Sequence, residues 1–88
     1  MVEKQFKIIE KTGLHARPAT LLVKTANNFK CDMSLEYKGK TVNLRSIVGL
    51  MSLGVTEGAD IKIKSDGNDE IEALEYIEVT LKREGVVE

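Results

Sequence analysis

The only histidine and the only proline of this 88-residue chain stand three residues apart, within Thr12-Gly13-Leu14-His15-Ala16-Arg17-Pro18-Ala19-Thr20. An alternating apolar pattern runs into this stretch and a pattern of helical period runs out of it, so it marks a corner of the fold. Gly13 permits a sharp turn there. Pro18 lacks an N–H and has a fixed φ, which suits the first turn of a helix. It also disfavours helical dihedrals at Arg17, so the helix starts within Ala16 to Pro18. His15 and Arg17 then flank a helix N-terminus, where unpaired backbone N–H groups and the helix dipole favour an anion.

From the spacing alone, two readings of His15 stand side by side. One is a polar residue at a helix start. The other is an isolated imidazole acting as a nucleophile or pH switch. No second His, Cys or carboxylate lies close by in the pattern of a metal site. Arg17 offers a planar, permanently charged fork to a phosphate, or is simply a solvated surface residue. Thr12 reads as a turn residue.

The elements follow from hydrophobic period. Val2, Lys4, Phe6 and Ile8 form one face of a first strand. A helix runs from Ala16 to about Asn27 with Ala19, Leu22, Val23 and Ala26 on one face; Leu21 departs from it. Asn27-Asn28 is the stop, because Asn tolerates the left-handed conformation. Cys31, Met33, Leu35 and Tyr37 alternate in a second strand, Lys38-Gly39 makes a tight hairpin, and Thr41 to Leu44 return. Ser46 caps a short helix from Ile47 to about Leu53, ended by Gly54. Ala59, Ile61 and Ile63 mark a fourth strand and Asp66-Gly67-Asn68 a turn. Asn68 or Asp69 caps a last helix whose buried stripe is Ile71, Leu74, Ile77 and Leu81. Acidic residues sit at its start and Lys82, Arg83 and Gly85 at its end, as the dipole favours. The acidic run from Asp66 to Glu75 reads as a solvated helix start.

The order β-α-β-β-α-β-α predicts an α+β open-faced sandwich. One four-stranded sheet is covered on one side by three helices, with the fourth strand between the first two and those two parallel. All 88 residues read as one domain.

Thirteen basic and 14 acidic side chains leave a net charge of −1, which sets up no global field for nucleic acid or an anionic membrane. Two Phe, two Tyr and no Trp are too few aromatics for a nucleic-acid stacking surface. The apolar run from Ile47 to Val55 is too short to span a bilayer. The single Cys31 cannot form an internal disulfide, and the N-terminus lacks a signal-peptide pattern, so the cytoplasm is the expected location.

Two further features bear on function. Ser46 serves as an N-cap, and a helix N-terminus is also where a phosphoserine is well tolerated. Arg45 beside it either pairs with such a group or is solvated. Ile47, Val48, Leu50, Met51 and Leu53 exceed what one buried stripe needs, so part of the short helix faces outwards as a partner surface, or the helix is buried throughout.

Gly13-Leu14-His15-Ala16-Arg17-Pro18-Ala19 and the run Val42 to Gly54, with Ser46 inside it, resemble the HPr family across essentially the whole chain. These are the histidine-containing phosphocarriers of the bacterial phosphoenolpyruvate-dependent sugar phosphotransferase system. The serine resembles that of the low-GC Gram-positive members. The resemblance implies that His15 takes a phosphoryl group on Nδ1 from Enzyme I and passes it to IIA domains of sugar transporters, without a metal or cofactor. Arg17 would stabilise the transferring charge, and the Ala16 and Arg17 N–H groups would bind phosphate oxygens. Thr20, Ile47, Val48, Gly49 and Met51 would dock partners in a monomeric protein. HPr kinase/phosphorylase would modify Ser46, reducing phosphate transfer from Enzyme I and making the product a corepressor with catabolite control protein A. The family often carries Met where this chain has Val48, a change that bears on partner affinity. Crh, a regulatory paralogue, lacks the histidine that this chain keeps. Two functions therefore come into view, a phosphocarrier acting through His15 and a regulatory binding module acting through Ser46. A nucleic-acid-binding sheet ranks last.

Overall fold

A computed structural model of the chain describes residues 1–88. Its elements are β1 (Val2–Lys7), α1 (Ala16–Ala26), β2 (Asp32–Tyr37), β3 (Lys40–Asn43), α2 (Ile47–Ser52), β4 (Asp60–Asp66) and α3 (Glu70–Arg83). The four strands form one antiparallel sheet in the order β1-β4-β2-β3. The fourth strand does lie between the first two, and both run antiparallel to it, hence parallel to each other. This is the open-faced α+β sandwich expected from the pattern.

Period-two alternation sorts the sheet into two faces. Phe6, Met33, Leu35, Ile61 and Ile63 are buried beneath the helices, with Leu22, Leu50, Ile77 and Leu81 packed over them. The opposite face carries charges paired along the sheet, Lys62 with Glu3 and Lys64 with Glu36. Between β2 and β3, Lys38 and Gly39 both have positive φ, the conformation that matches hairpin twist.

Two polar residues break the inward pattern, each for a visible reason. Lys4 lies on the covered face of an edge strand and reaches out to the carboxylate of Glu78 on α3, 2.6 Å away. Ser65 is fully buried, and its hydroxyl meets the Cys31 thiol at 3.2 Å. Burial pushes that thiol's pKa up and so disfavours the reactive thiolate. No buried side-chain nitrogen or oxygen is left without a partner.

Several local expectations need correction. Ile71 is exposed rather than part of the α3 stripe, which consists of Ala73, Leu74, Ile77, Thr80 and Leu81. At 3.6 residues per turn, Ile71 lies roughly 120° around the helix from Ile77. Asn27 keeps right-handed helical dihedrals, so α1 does not end in a left-handed residue. The helix end is held instead by Arg45, whose guanidinium donates to the carbonyls of Ala26, Phe29 and Cys31. Arg45 is therefore committed to this turn rather than free in solvent or paired with a group at Ser46. Asp69 is the N-cap residue of α3, yet its carboxylate does not cap that helix. It accepts the N–H groups of Lys30 and Cys31 at 2.9 and 3.0 Å, so part of the acidic run is a structural brace.

Val86 and Val87, absent from the expected core, are buried. Gly85 (φ +73) ends α3 with its N–H on the Lys82 carbonyl and the Val86 N–H on that of Leu81. This reversal lays the tail against Ile8 to Glu10, where the Val86 carbonyl accepts the N–H groups of Ile9 and Glu10.

The Lys30 and Cys31 amides hold the Asp69 carboxyl below the usual aspartate range, Lys30 contributing most. A depressed folded pKa stabilises the fold above the unfolded value of about 4, and that contribution is lost as pH falls through the folded value. Urea unfolding of the parent chain and Asp69→Asn between pH 7 and pH 2.5 is expected to show a less steep acid loss in the variant.

Candidate functional site

The corner read from the sequence is built by two pins. The Gly13 N–H donates to the Glu10 carbonyl at 3.0 Å, and the Leu14 N–H donates to the Val55 carbonyl at 3.2 Å. Gly13 has φ +67, and a Cβ placed there would lie 2.1 Å from the Val55 oxygen. Only glycine allows both the dihedral and the approach. Leu14 then drops into the core and His15 emerges half-exposed.

His15 is the N-cap residue of α1, with extended backbone dihedrals (φ −90, ψ −165), and its carbonyl accepts the Ala19 N–H. Its imidazole makes no capping hydrogen bond. Pro18 occupies the first turn and has no N–H to offer. Ala16 and Arg17 are therefore the two residues whose amides open the helix, and both residues are exposed. The first turn holds no acidic side chain to compete for them. The arrangement is an uncommitted imidazole at the mouth of a helix dipole.

Arg17 is not free. Its Nη2 donates to Oε1 of Glu10, and its Nη1 lies 3.8 Å from Oε1 of Glu84 at the end of α3. Beside the guanidinium, a shallow depression is lined by Ala16, Arg17, Thr20, Leu21, Lys24 and Glu84.

Helix α2 packs against α1. Its N-cap is Ser46, whose Oγ accepts the Gly49 N–H at 2.9 Å. A Cβ on Gly49 would stand 2.9 Å from that same oxygen, so Gly49 preserves the cap. Leu50 is fully buried, whereas Ile47, Val48 and Met51 are exposed, Val48 to 80%. The short helix is thus anchored by one leucine and shows its remaining apolar side chains to solvent. Val55, the pin under the His15 corner, follows the C-terminal end of this helix. Ser46 lies at the other end, across the six residues of α2, a helix with roughly 9 Å of rise.

The structure brings together His15, Ala16, Arg17 and Thr20 on the start of α1, and Ile47, Val48, Gly49 and Met51 on its neighbour. It holds no cluster of three His, Cys, Asp or Glu side chains arranged for a metal ion, and no helix is long and apolar enough to cross a membrane. Sequence reading missed Glu10 and Glu84 as partners of Arg17. Neither spacing carries a signal, because the chain reverses between each pair.

Residues 2–83 match the family model described as the PTS HPr component phosphorylation site. The chain belongs to the HPr family. Solved HPr structures agree. It is similar to HPr-C-His of Thermoanaerobacter tengcongensis, at 45% identity over 97% of this chain and 94% of that one, with a TM-score of 0.88. It also resembles the histidine-containing phosphocarrier protein of Mycoplasma, at 33% identity, 99% of both chains and a TM-score of 0.95. A third similar structure is Crh, the catabolite repression protein of Bacillus subtilis, described as a swapped, intertwined dimer. It is 46% identical over 94% of this chain and 95% of that one, with a TM-score of 0.74. This HPr chain is a phosphocarrier of the phosphotransferase system.

Gly13→Ala is expected to lose more than about 2 kcal/mol in urea unfolding, from the left-handed dihedral and the displaced Val55 carbonyl. Hydrogen exchange at the Leu14 amide is expected to speed up in the folded variant.

Proposed function

We propose that His15 is the phosphoryl acceptor, taking the group on Nδ1 from the phosphorylated histidine of Enzyme I and delivering it to IIA domains of sugar transporters. The observation that carries this reading is the uncommitted His15 imidazole at the opening of α1. The Ala16 and Arg17 amides are the donors for phosphate oxygens, and Arg17 supplies the positive charge. Each transfer forms one P–N bond as another breaks, so the chain returns unchanged and turns over no substrate of its own. A relay must not hold its cargo too tightly. One guanidinium and a helix end at an exposed corner meet that requirement without a metal or cofactor.

Thr20, Ile47, Val48, Gly49 and Met51 form the docking surface beside the acceptor. Ser46, at its edge, is the target of HPr kinase/phosphorylase. The added phosphate places negative charge at this surface, and Arg45, committed to three carbonyls, does not neutralise it. Like-charge repulsion then weakens docking of Enzyme I. The serine-phosphorylated form is the corepressor that binds catabolite control protein A. The working unit is one domain over residues 1–88, a monomer of the cytoplasm.

Incubation with phosphoenolpyruvate and Enzyme I is expected to place one acid-labile phosphate on His15 by mass spectrometry. Equal labelling of His15→Ala refutes the assignment. ATP and the serine kinase are expected to modify the parent chain but not Ser46→Ala. Prior modification at Ser46 is expected to slow labelling by Enzyme I more than about tenfold.

A further inference from the structure

Arg17 faces two carboxylates on two different segments. Nη2 donates to Glu10 Oε1 at 2.5 Å, and Nη1 stands 3.8 Å from Glu84 Oε1. The guanidinium's charge is met by Glu10 and by Glu84, which Arg83 shares at 3.6 Å, just where the proposed phosphoryl group needs positive charge. Arg17 in this arrangement therefore cannot offer that group an unopposed cation.

The two carboxylates are not equivalent. Glu10 is the closer and the more buried, its side chain 20% exposed against 40% for Glu84. Its backbone is fixed on both sides, with its N–H on the Val86 carbonyl and its own carbonyl accepting the Gly13 N–H. The Arg17 side chain is 54% exposed and has room to swing. Glu10 is a fixed post and Arg17 the movable arm.

We infer that Glu10 is a positioning residue that latches Arg17 away from the His15 phosphoryl site, and that phosphorylation proceeds with exchange of the carboxylate for the phosphoryl oxygens. This rests on the His15 reading above. Phosphate and carboxylate compete for the same planar donor fork. The latch lowers the net hold on the phosphoryl group by the free energy of the ion pair given up, which favours handing the group on. No bond other than the P–N bond changes, and no further reactant is needed.

The test lets two full-length chains, the isotope-labelled parent and Glu10→Gln, share a limiting supply of phosphoenolpyruvate through catalytic Enzyme I. Mass spectrometry reads the phosphoryl distribution at equilibrium. Glu10→Gln keeps the shape and the backbone bonds but removes the charge, and is expected to hold about threefold more phosphate than the parent, the range of an exposed ion pair. With Arg17→Gln in both chains the ratio is expected to return to one. A ratio of one in the first pair overturns the latch. So does a threefold ratio that survives in the Arg17→Gln pair, since that assigns the effect to charge without the arm. A second readout requires no phosphate. NMR is expected to show slow guanidinium rotation at Arg17 in the parent and fast rotation in Glu10→Gln, and equal rates overturn the latch even when His15 is labelled. Slow rotation in a parent chain that takes no label on His15 refutes the phosphocarrier reading itself, and the role of the latch with it.

Discussion

The oxygen of Val55 occupies the space that a side chain on residue 13 would need. That single close approach joins the loop before α1 to the segment after α2, and much of the molecule's working corner depends on it. With the two segments pinned, Leu14 is committed inwards and His15 outwards. The imidazole stands where the peptide dipoles of α1 begin. A looser junction would leave the same residues in the sequence without a fixed relation between ring and amides.

The opposite end of α1 is held with equal economy. A helix end leaves carbonyls without partners, and burying them uncompensated is costly. Arg45 meets the Ala26 and Phe29 carbonyls and adds that of Cys31 beyond. Its positive charge also faces the negative end of the helix dipole. Asp69 answers from the other side by taking the amides of Lys30 and Cys31. A cation for the carbonyls and an anion for the amides thus fix the turn between α1 and β2. Helix α1 is restrained at both ends, which limits drift of its first turn relative to the exposed side chains of α2.

Much of this was legible in the sequence because it rests on period. Alternation at Met33 and Leu35 or at Ile61 and Ile63 can serve only a sheet with one covered face. Ser46 and Gly54 punctuate a short helix with too many apolar residues to bury. The resemblance of the His15 and Ser46 stretches pointed to the same family as the later match over residues 2–83. What escaped were contacts between segments distant in the chain. Arg45 looked like a neighbour of Ser46, and nothing in its local context points to carbonyls 14 to 19 residues earlier. Glu10 carries no signal of its own in the sequence, and only the reversal at Gly13 turns it towards Arg17. Ile71 failed for a simpler reason. Its spacing to Leu74 suits a helix, but the centre of the buried face lies at Ile77, and Ile71 is too far round.

The place of β4 in the sheet bears on how the chain becomes a protein at all. Residues 60–66 form the bridge between β1 and the β2–β3 hairpin, which do not touch each other across the sheet. During synthesis the first strand is made early and waits, its hydrogen-bonding edge unsatisfied, until more than fifty further residues have emerged. The hairpin can close locally, but the full sheet cannot assemble around a missing centre. Pairings of such large sequence separation slow folding and favour an all-or-none transition. Nascent chains that stop short of the fourth strand would be substrates for chaperones and proteases rather than partly working carriers.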